Sequence, residues 1–181
     1  MHRAVVAKVV QLSRLESHVL ALVRKWQPTT AYFVRKSLAD TMATNVSDSP
    51  GSVYPAIERL KAQGLLTAEA TARGKRASEH LTCTKAGEEA VQHWLMLVSP
   101  AETLPEDPWR TKIRFADLMS KADLKTWLLD LRQVVKQTAA QLDELQPEDT
   151  DTLQSLELEH ARLSNAARAA WINAAMASLV E

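Results

Sequence analysis

Residues 50–66 read Pro50-Gly51-Ser52-Val53-Tyr54-Pro55-Ala56-Ile57-Glu58-Arg59-Leu60-Lys61-Ala62-Gln63-Gly64-Leu65-Leu66, and a basic turn, Arg73-Gly74-Lys75-Arg76, follows shortly after. Val53, Ile57 and Leu60 fall on one helical stripe, while Ser52, Pro55, Arg59 and Ala62 project from the opposite side. The projecting side is small at its start, which lets backbone approach a groove closely, and a helix start offers free N–H groups to phosphate oxygens. Proline is comfortable only in the first turn, so Ser52 as N-cap predicts a helix that begins just before Pro55. Gly64 is a stop signal. Residues 65–70 and 77–82 then read as the strands of a hairpin whose tip carries the positive charge.

Working outward, Ser13-Arg14-Leu15-Glu16 is a capping-box pattern, and Leu15, Val19, Leu22, Val23 and Trp26 follow at helical spacing until Pro28. Residues 30–43 repeat the period with Ala31, Val34, Leu38 and Met42, and the turn formers from Asn45 to Gly51 lead into the third helix. Thr84 caps a fourth helix carrying Val91, Trp94, Leu95 and Val98. Three helices, a hairpin with a cationic tip and a closing helix are the parts of a winged helix-turn-helix, in which one helix meets bases while phosphates fix the register.

The acidic, proline-punctuated stretch 99–107 reads as a linker. Beyond it, over 108–181, Leu124, Leu128, Leu131, Val135, Thr138, Leu142 and Leu145 form an a/d seam. A second helix after Pro147 carries Leu153, Leu156, His160, Leu163, Ala167, Ala170, Ala174 and Ala177 in the same register. Two helices alone cover too little surface for a stable core, so the missing surface is expected from a second copy of the chain. The expected architecture is mainly α with a small β-hairpin: a winged helix-turn-helix over 13–98 followed by a two-helix or three-helix α-helical dimerisation domain. Residues 1–12 form an amino-terminal extension, with Ala4 to Val10 able to add a helix.

Composition fits this reading. With 46% apolar and 24% charged residues the chain has the make-up of a soluble globular protein. Its apolar runs, broken by Lys8 or stopped at Arg24, fall short of the roughly 20 residues that span a bilayer. The single Cys83 allows no internal disulfide and fits a reducing compartment, so a cytoplasmic location is expected and no membrane partner. The zero net charge hides a split: Lys plus Arg against Asp plus Glu is 13 against 8 over residues 1–98 and 9 against 14 over 99–181. A basic amino-terminal half suits contact with nucleic acid on one side of the molecule.

The order Leu12-Ser13-Arg14-Leu15-Glu16, Pro28-Thr29-Thr30-Ala31-Tyr32, Gly51-Ser52-Val53-Tyr54-Pro55-Ala56-Ile57-Glu58-Arg59-Leu60, Gly64-Leu65-Leu66 and Thr84-Lys85-Ala86-Gly87 resembles the PadR family of transcriptional regulators. The resemblance covers roughly residues 12–98, and the tail resembles the family's dimerisation domain in pattern only. Ala31 stands where the family commonly has Gly, and Leu81 and Cys83 replace the common Tyr and Leu of the second wing strand. These are packing changes that remove no DNA-contacting charge. The resemblance implies a homodimeric regulator, most often a repressor, with an effector drawn from phenolic acids or flat aromatic molecules.

For duplex DNA the candidate residues are Tyr32, Ser49, Gly51, Ser52, Tyr54, Pro55 and Arg59, with Arg73, Gly74, Lys75 and Arg76 in the wing. Ser and Tyr hydroxyls suit phosphates, and Arg59 suits phosphate or guanine. A twofold dimer implies a near-palindromic operator. Dimerisation is assigned to Leu124, Leu128, Leu131, Val135, Leu142, Leu153, Leu156, Leu163, Ala167 and Ala170. Trp26, Trp94 and Trp109 are candidates for an effector pocket, because large aromatic faces stack on planar ligands. The sequence lacks a Gly-rich phosphate loop and a nucleophile motif, so no catalysis or cofactor is expected. His80-x-x-Cys83 with His93 is an incomplete metal set, and no metal is assigned. The alternative is a winged-helix module for protein interaction, or for small-molecule or metal sensing, without direct operator binding.

Overall fold

The structure is a computed structural model that describes residues 11–39, 46–71, 78–104, 106–145 and 152–179 of the 181-residue chain. The expected extension over 1–12 falls largely outside the described residues, as do Arg73, Gly74, Lys75 and Arg76 of the wing tip. The chain divides into two compact units, Met1–Ser99 and Pro100–Glu181.

In the first unit α1 (Arg14–Trp26) begins on the predicted capping box. The Glu16 N–H donates to Ser13 Oγ at 3.3 Å, and Glu16 Oε2 accepts from the Ser13 N–H at 2.9 Å. Two of the orphan donors at the helix start are thus satisfied reciprocally. Helix α1 buries Val19, Leu20 and Val23, α2 (Ala31–Ala39) buries Val34 and Leu38, and α3 (Pro50–Ala62) buries Val53, Ala56, Ile57 and Leu60. Together with Leu65, Leu66, Leu81, Cys83 and Val91 these side chains make one continuous core.

The start of α3 differs from the sequence expectation. Ser49, not Ser52, is the N-cap, and Pro50 takes the first helical position, so Pro55 lies inside the helix. Pro50 is the better starter because its missing N–H is one that no helix would pair. Pro55 removes the N–H that would reach the Gly51 carbonyl one turn back. Gly51 is exposed, so its unpaired carbonyl is open to water.

At the other end of α3 the Leu65 N–H bonds the Leu60 carbonyl at 3.0 Å and the Gly64 N–H bonds the Lys61 carbonyl at 2.9 Å. This Schellman closure needs a left-handed residue, and Gly64 supplies it with φ 70. The chain then turns into β1 (Leu66–Thr71), which pairs antiparallel with β2 (Ser78–Cys83), Leu66 opposite Cys83 and Thr71 opposite Ser78. β1 starts one residue later than expected, and Ala77, the expected start of β2, lies outside the described residues. Thr29 bridges to Leu81, N–H to carbonyl at 3.1 Å one way and 2.7 Å the other, so the segment between α1 and α2 docks on β2.

Helix α4 (Lys85–Met96) starts on Thr84, whose Oγ1 accepts from the Gly87 N–H at 3.1 Å and donates to the Gly64 carbonyl at 2.8 Å. The Thr84-Lys85-Ala86-Gly87 and Gly64-Leu65-Leu66 motifs are thereby two halves of one joint.

In the second unit α5 (Pro100–Thr103) is a single turn inside the stretch read as a linker, and α6 (Pro108–Ile113) is capped by Asp107. A 3₁₀ turn (Ala116–Leu118) precedes α7 (Lys121–Glu144) and α8 (Thr152–Leu179). The long helices form an antiparallel hairpin: Trp127 meets Trp171, Asn165 Nδ2 donates to the Val135 carbonyl at 3.0 Å, and Arg162 Nη2 donates to the Leu142 carbonyl at 2.8 Å.

The seam on α7 is as read, with Leu124, Leu128, Leu131, Val135 and Leu142 buried. These side chains are already covered within one chain. Helix α8 corrects the register. Ile172 is buried on its inner side and Ala169, Trp171 and Met176 pack there too, whereas Leu153, Leu156 and Leu163 are 75%, 56% and 64% exposed. The stripe read as continuous with the α7 seam therefore points away from it, and Ala167 and Ala170 are exposed as well.

Candidate nucleic-acid interface

Helix α3 presents Gly51, Tyr54, Pro55, Glu58 and Arg59 to solvent while its opposite side is core. At its amino end three hydroxyls gather: Ser49 Oγ to Ser52 Oγ at 2.9 Å, with Ser47 Oγ at 3.2 Å from each. With Gly51 beside them, these hydroxyls make a polar, sterically small tip suited to phosphate oxygens. Tyr32 is exposed in the first turn of α2, with the Arg35 guanidinium 5.8 Å from its ring centre.

Arg59 stands one turn beyond Pro55 on the same row, and its Nε donates to Glu16 Oε1 at 2.6 Å. Burial raises the Glu16 pKa, but the hydrogen bonds from Arg59 and Ser13 outweigh it and hold the carboxyl below its usual value. Lys61, by contrast, is engaged away from any ligand, with Nζ 3.0 Å from Glu58 and 3.1 Å from Glu79 of β2. Neither the Glu16–Arg59 pair nor the Lys61 tie is legible in the chain. The capping box announces a local role for Glu16, but a contact 43 positions away leaves no spacing signal.

The three candidate effector tryptophans have separate neighbourhoods. Trp26 meets Phe33 edge-on at 6.0 Å, and Trp94 faces His18 at 5.3 Å. In the second unit Trp109 lies 6.2 Å from Trp171 and under the Arg168 guanidinium at 4.7 Å, with Arg168 also bonded to Asp107. Trp127 joins this cluster through Trp171 at 6.4 Å. A groove of about 400 Å³ runs between α7 and α8, lined by Val135, Leu142 and Ile172 and by Arg132, Lys136 and Arg162. Among the described residues no three His, Cys, Asp or Glu gather as a metal site. Burial pushes the Cys83 thiol up to about 11, so it is a poor thiolate donor. Among the described residues no helix is long and apolar enough to cross a membrane.

Three packed helices, a two-stranded wing and a third helix with a small, hydroxyl-rich exposed tip define a winged helix-turn-helix protein. Residues 19–93 match the family described as Transcriptional regulator PadR-like family. That match covers the core of the winged-helix unit, and the members of the family are DNA-binding regulators. The chain is similar in structure to Bacillus subtilis PadR solved in complex with operator DNA, with TM-score 0.75 and 20% identity over 93% of this chain and 99% of that one. It is similar to the same protein in complex with p-coumaric acid, with TM-score 0.71 and 19% identity over 92% and 99%. The Vibrio cholerae virulence activator AphA is also similar, with TM-score 0.69 and 21% identity over 91% and 97%. At such identities the likeness establishes the fold. No curated protein matches the chain.

Proposed function

We propose that this transcriptional regulator is a homodimeric repressor that binds a near-palindromic duplex operator and is released by a small aromatic effector. The observation that carries the DNA reading is the division of α3: Val53, Ala56, Ile57 and Leu60 are core, and Ser52, Tyr54, Pro55 and Arg59 face outward. An ordinary surface helix has no need of a hydroxyl-rich, sterically small tip. The wing sequence Arg73-Gly74-Lys75-Arg76 supplies cations for the flanking backbone. Dimerisation uses the exposed α8 stripe of Leu153, Leu156, Leu163, Ala167 and Ala170, where alanine lets helices approach closely. A twofold axis then sets the two third helices about 34 Å apart, one turn of duplex.

Support for an effector comes from the similar Bacillus subtilis PadR, solved with operator DNA and with p-coumaric acid. The aromatic surfaces of Trp26, Trp94 and Trp109 are the candidates to receive a flat ligand, and a cytoplasmic site of action accompanies a DNA target. Selection of bound fragments from random-sequence duplexes by the full chain tests the reading. Enrichment of a motif with two inverted half-sites is expected; recovery of unenriched sequence would count against operator binding.

A further inference from the structure

We propose that Glu16 is a positioning residue for DNA recognition: from its buried place on α1 it fastens Arg59 by Nε and so presents the two Nη groups to the duplex. The inference rests on the DNA reading of α3 given above. Its basis is an asymmetry. The Glu16 side chain is 8% exposed and the Arg59 side chain 53%, so the pair is anchored at one end and open at the other. Glu16 itself cannot swing, because Oε2 is held by the Ser13 N–H while Oε1 holds Arg59. One carboxylate thus joins the start of α1 to the last turn of α3.

Two consequences follow from the chemistry of the guanidinium. Its five donors lie in one plane, so fixing Nε orients the two Nη groups, a fork matched to a phosphate or to guanine O6 and N7. A side chain already fastened gives up less rotamer freedom on docking than one that sweeps through solvent. Gly51, Pro55 and Arg59 are spaced by four residues each, so the fork lies on the same row as the small tip of α3. A strut that merely pinned α1 to α3 would serve as well with both ends covered. The buried carboxylate also balances the arginine charge, so the pair adds little non-specific attraction to DNA while offering directed donors.

The test uses the full chain and two fluorescent duplexes: one enriched by the wild-type protein from random sequence, and one of unrelated sequence. Glu16→Gln is expected to lower affinity for the enriched duplex roughly tenfold. It should leave affinity for the unrelated duplex unchanged or raised, because an unbalanced arginine charge is released. Arg59→Ala is expected to lower affinity for the enriched duplex by a similar factor, and the double variant should bind no worse than Arg59→Ala alone. Equal weakening on both duplexes by Glu16→Gln, additive losses in the double variant, or full affinity in Arg59→Ala would each overturn the positioning role while leaving DNA binding by the wild type intact. Should Glu16→Gln melt below the assay temperature, Arg59→Lys takes its place: it keeps the charge but not the fork. Loss of preference between the duplexes is then expected, and retained preference overturns the proposal. A wild-type chain that enriches no duplex would remove the DNA reading itself, and this inference with it.

Discussion

A Cβ added at Gly87 would collide with the carbonyl oxygen of Leu65, which is backbone in a hydrogen-bonded joint and has nowhere to go. Gly87→Ala is therefore expected to destabilise the winged-helix domain by about 1–3 kcal/mol, the usual cost of overpacking. Chemical denaturation of the variant and the wild type measures it, and an unchanged midpoint would mean the joint can open without penalty. Glu16 gives a second expectation at this scale. Its folded pKa lies below the ordinary value of 4.5, so its ion pair stabilises the fold fully above that pH. The contribution is lost as pH falls through the depressed folded value. Melting temperatures taken from pH 6 downward should drop below about pH 4.5, and the drop should be smaller in Glu16→Gln. Equal acid sensitivity in both proteins would assign the loss to other carboxylates.

Elements with local signatures were legible in the chain, and those decided by distant partners were not. Ser13 and Glu16 lie three residues apart, so the capping box could be read directly and α1 begins there. Gly64 likewise ends α3 as its position demanded. The start of α3 is harder to read because two prolines compete for the first turn; Pro50 takes it, and Pro55 lies inside the helix. Helix α8 was misread for a different reason. It is apolar on more than one side, with Leu153, Leu156 and Leu163 on one stripe and Ala169, Ile172 and Met176 on another, so periodicity alone could not choose the side that meets α7. The wing belongs to this scale too. Arg73→Ala with Lys75→Ala should weaken binding to all duplexes alike and flatten the dependence of affinity on salt by about 1–2 in log–log slope. Loss confined to one operator position, seen by anisotropy across a salt series, would contradict a backbone role.

At the scale of the whole molecule the exposed leucines of α8 matter most. An apolar stripe on a helix whose other side is already packed is a surface in want of cover. Leu156→Glu together with Leu163→Glu is expected to convert the proposed dimer to a monomer without unfolding it, because both side chains are exposed in the single chain. Sedimentation velocity and helical circular dichroism together read the outcome; a variant that stays dimeric would place the interface elsewhere. With its second α3 removed, such a monomer should also lose most of its affinity for a two-half-site duplex.

The Thr29–Leu81 bridge joins residues far apart in sequence, and the Leu81 amide hydrogen points into it at 2.7 Å. No fraying of a chain end or loop can release that proton to solvent without lifting β2 from the segment after α1. Its replacement by deuterium should be among the slowest in the domain and should report the free energy of global opening, so a single amide would serve as an internal gauge of how tightly the winged-helix unit is held shut.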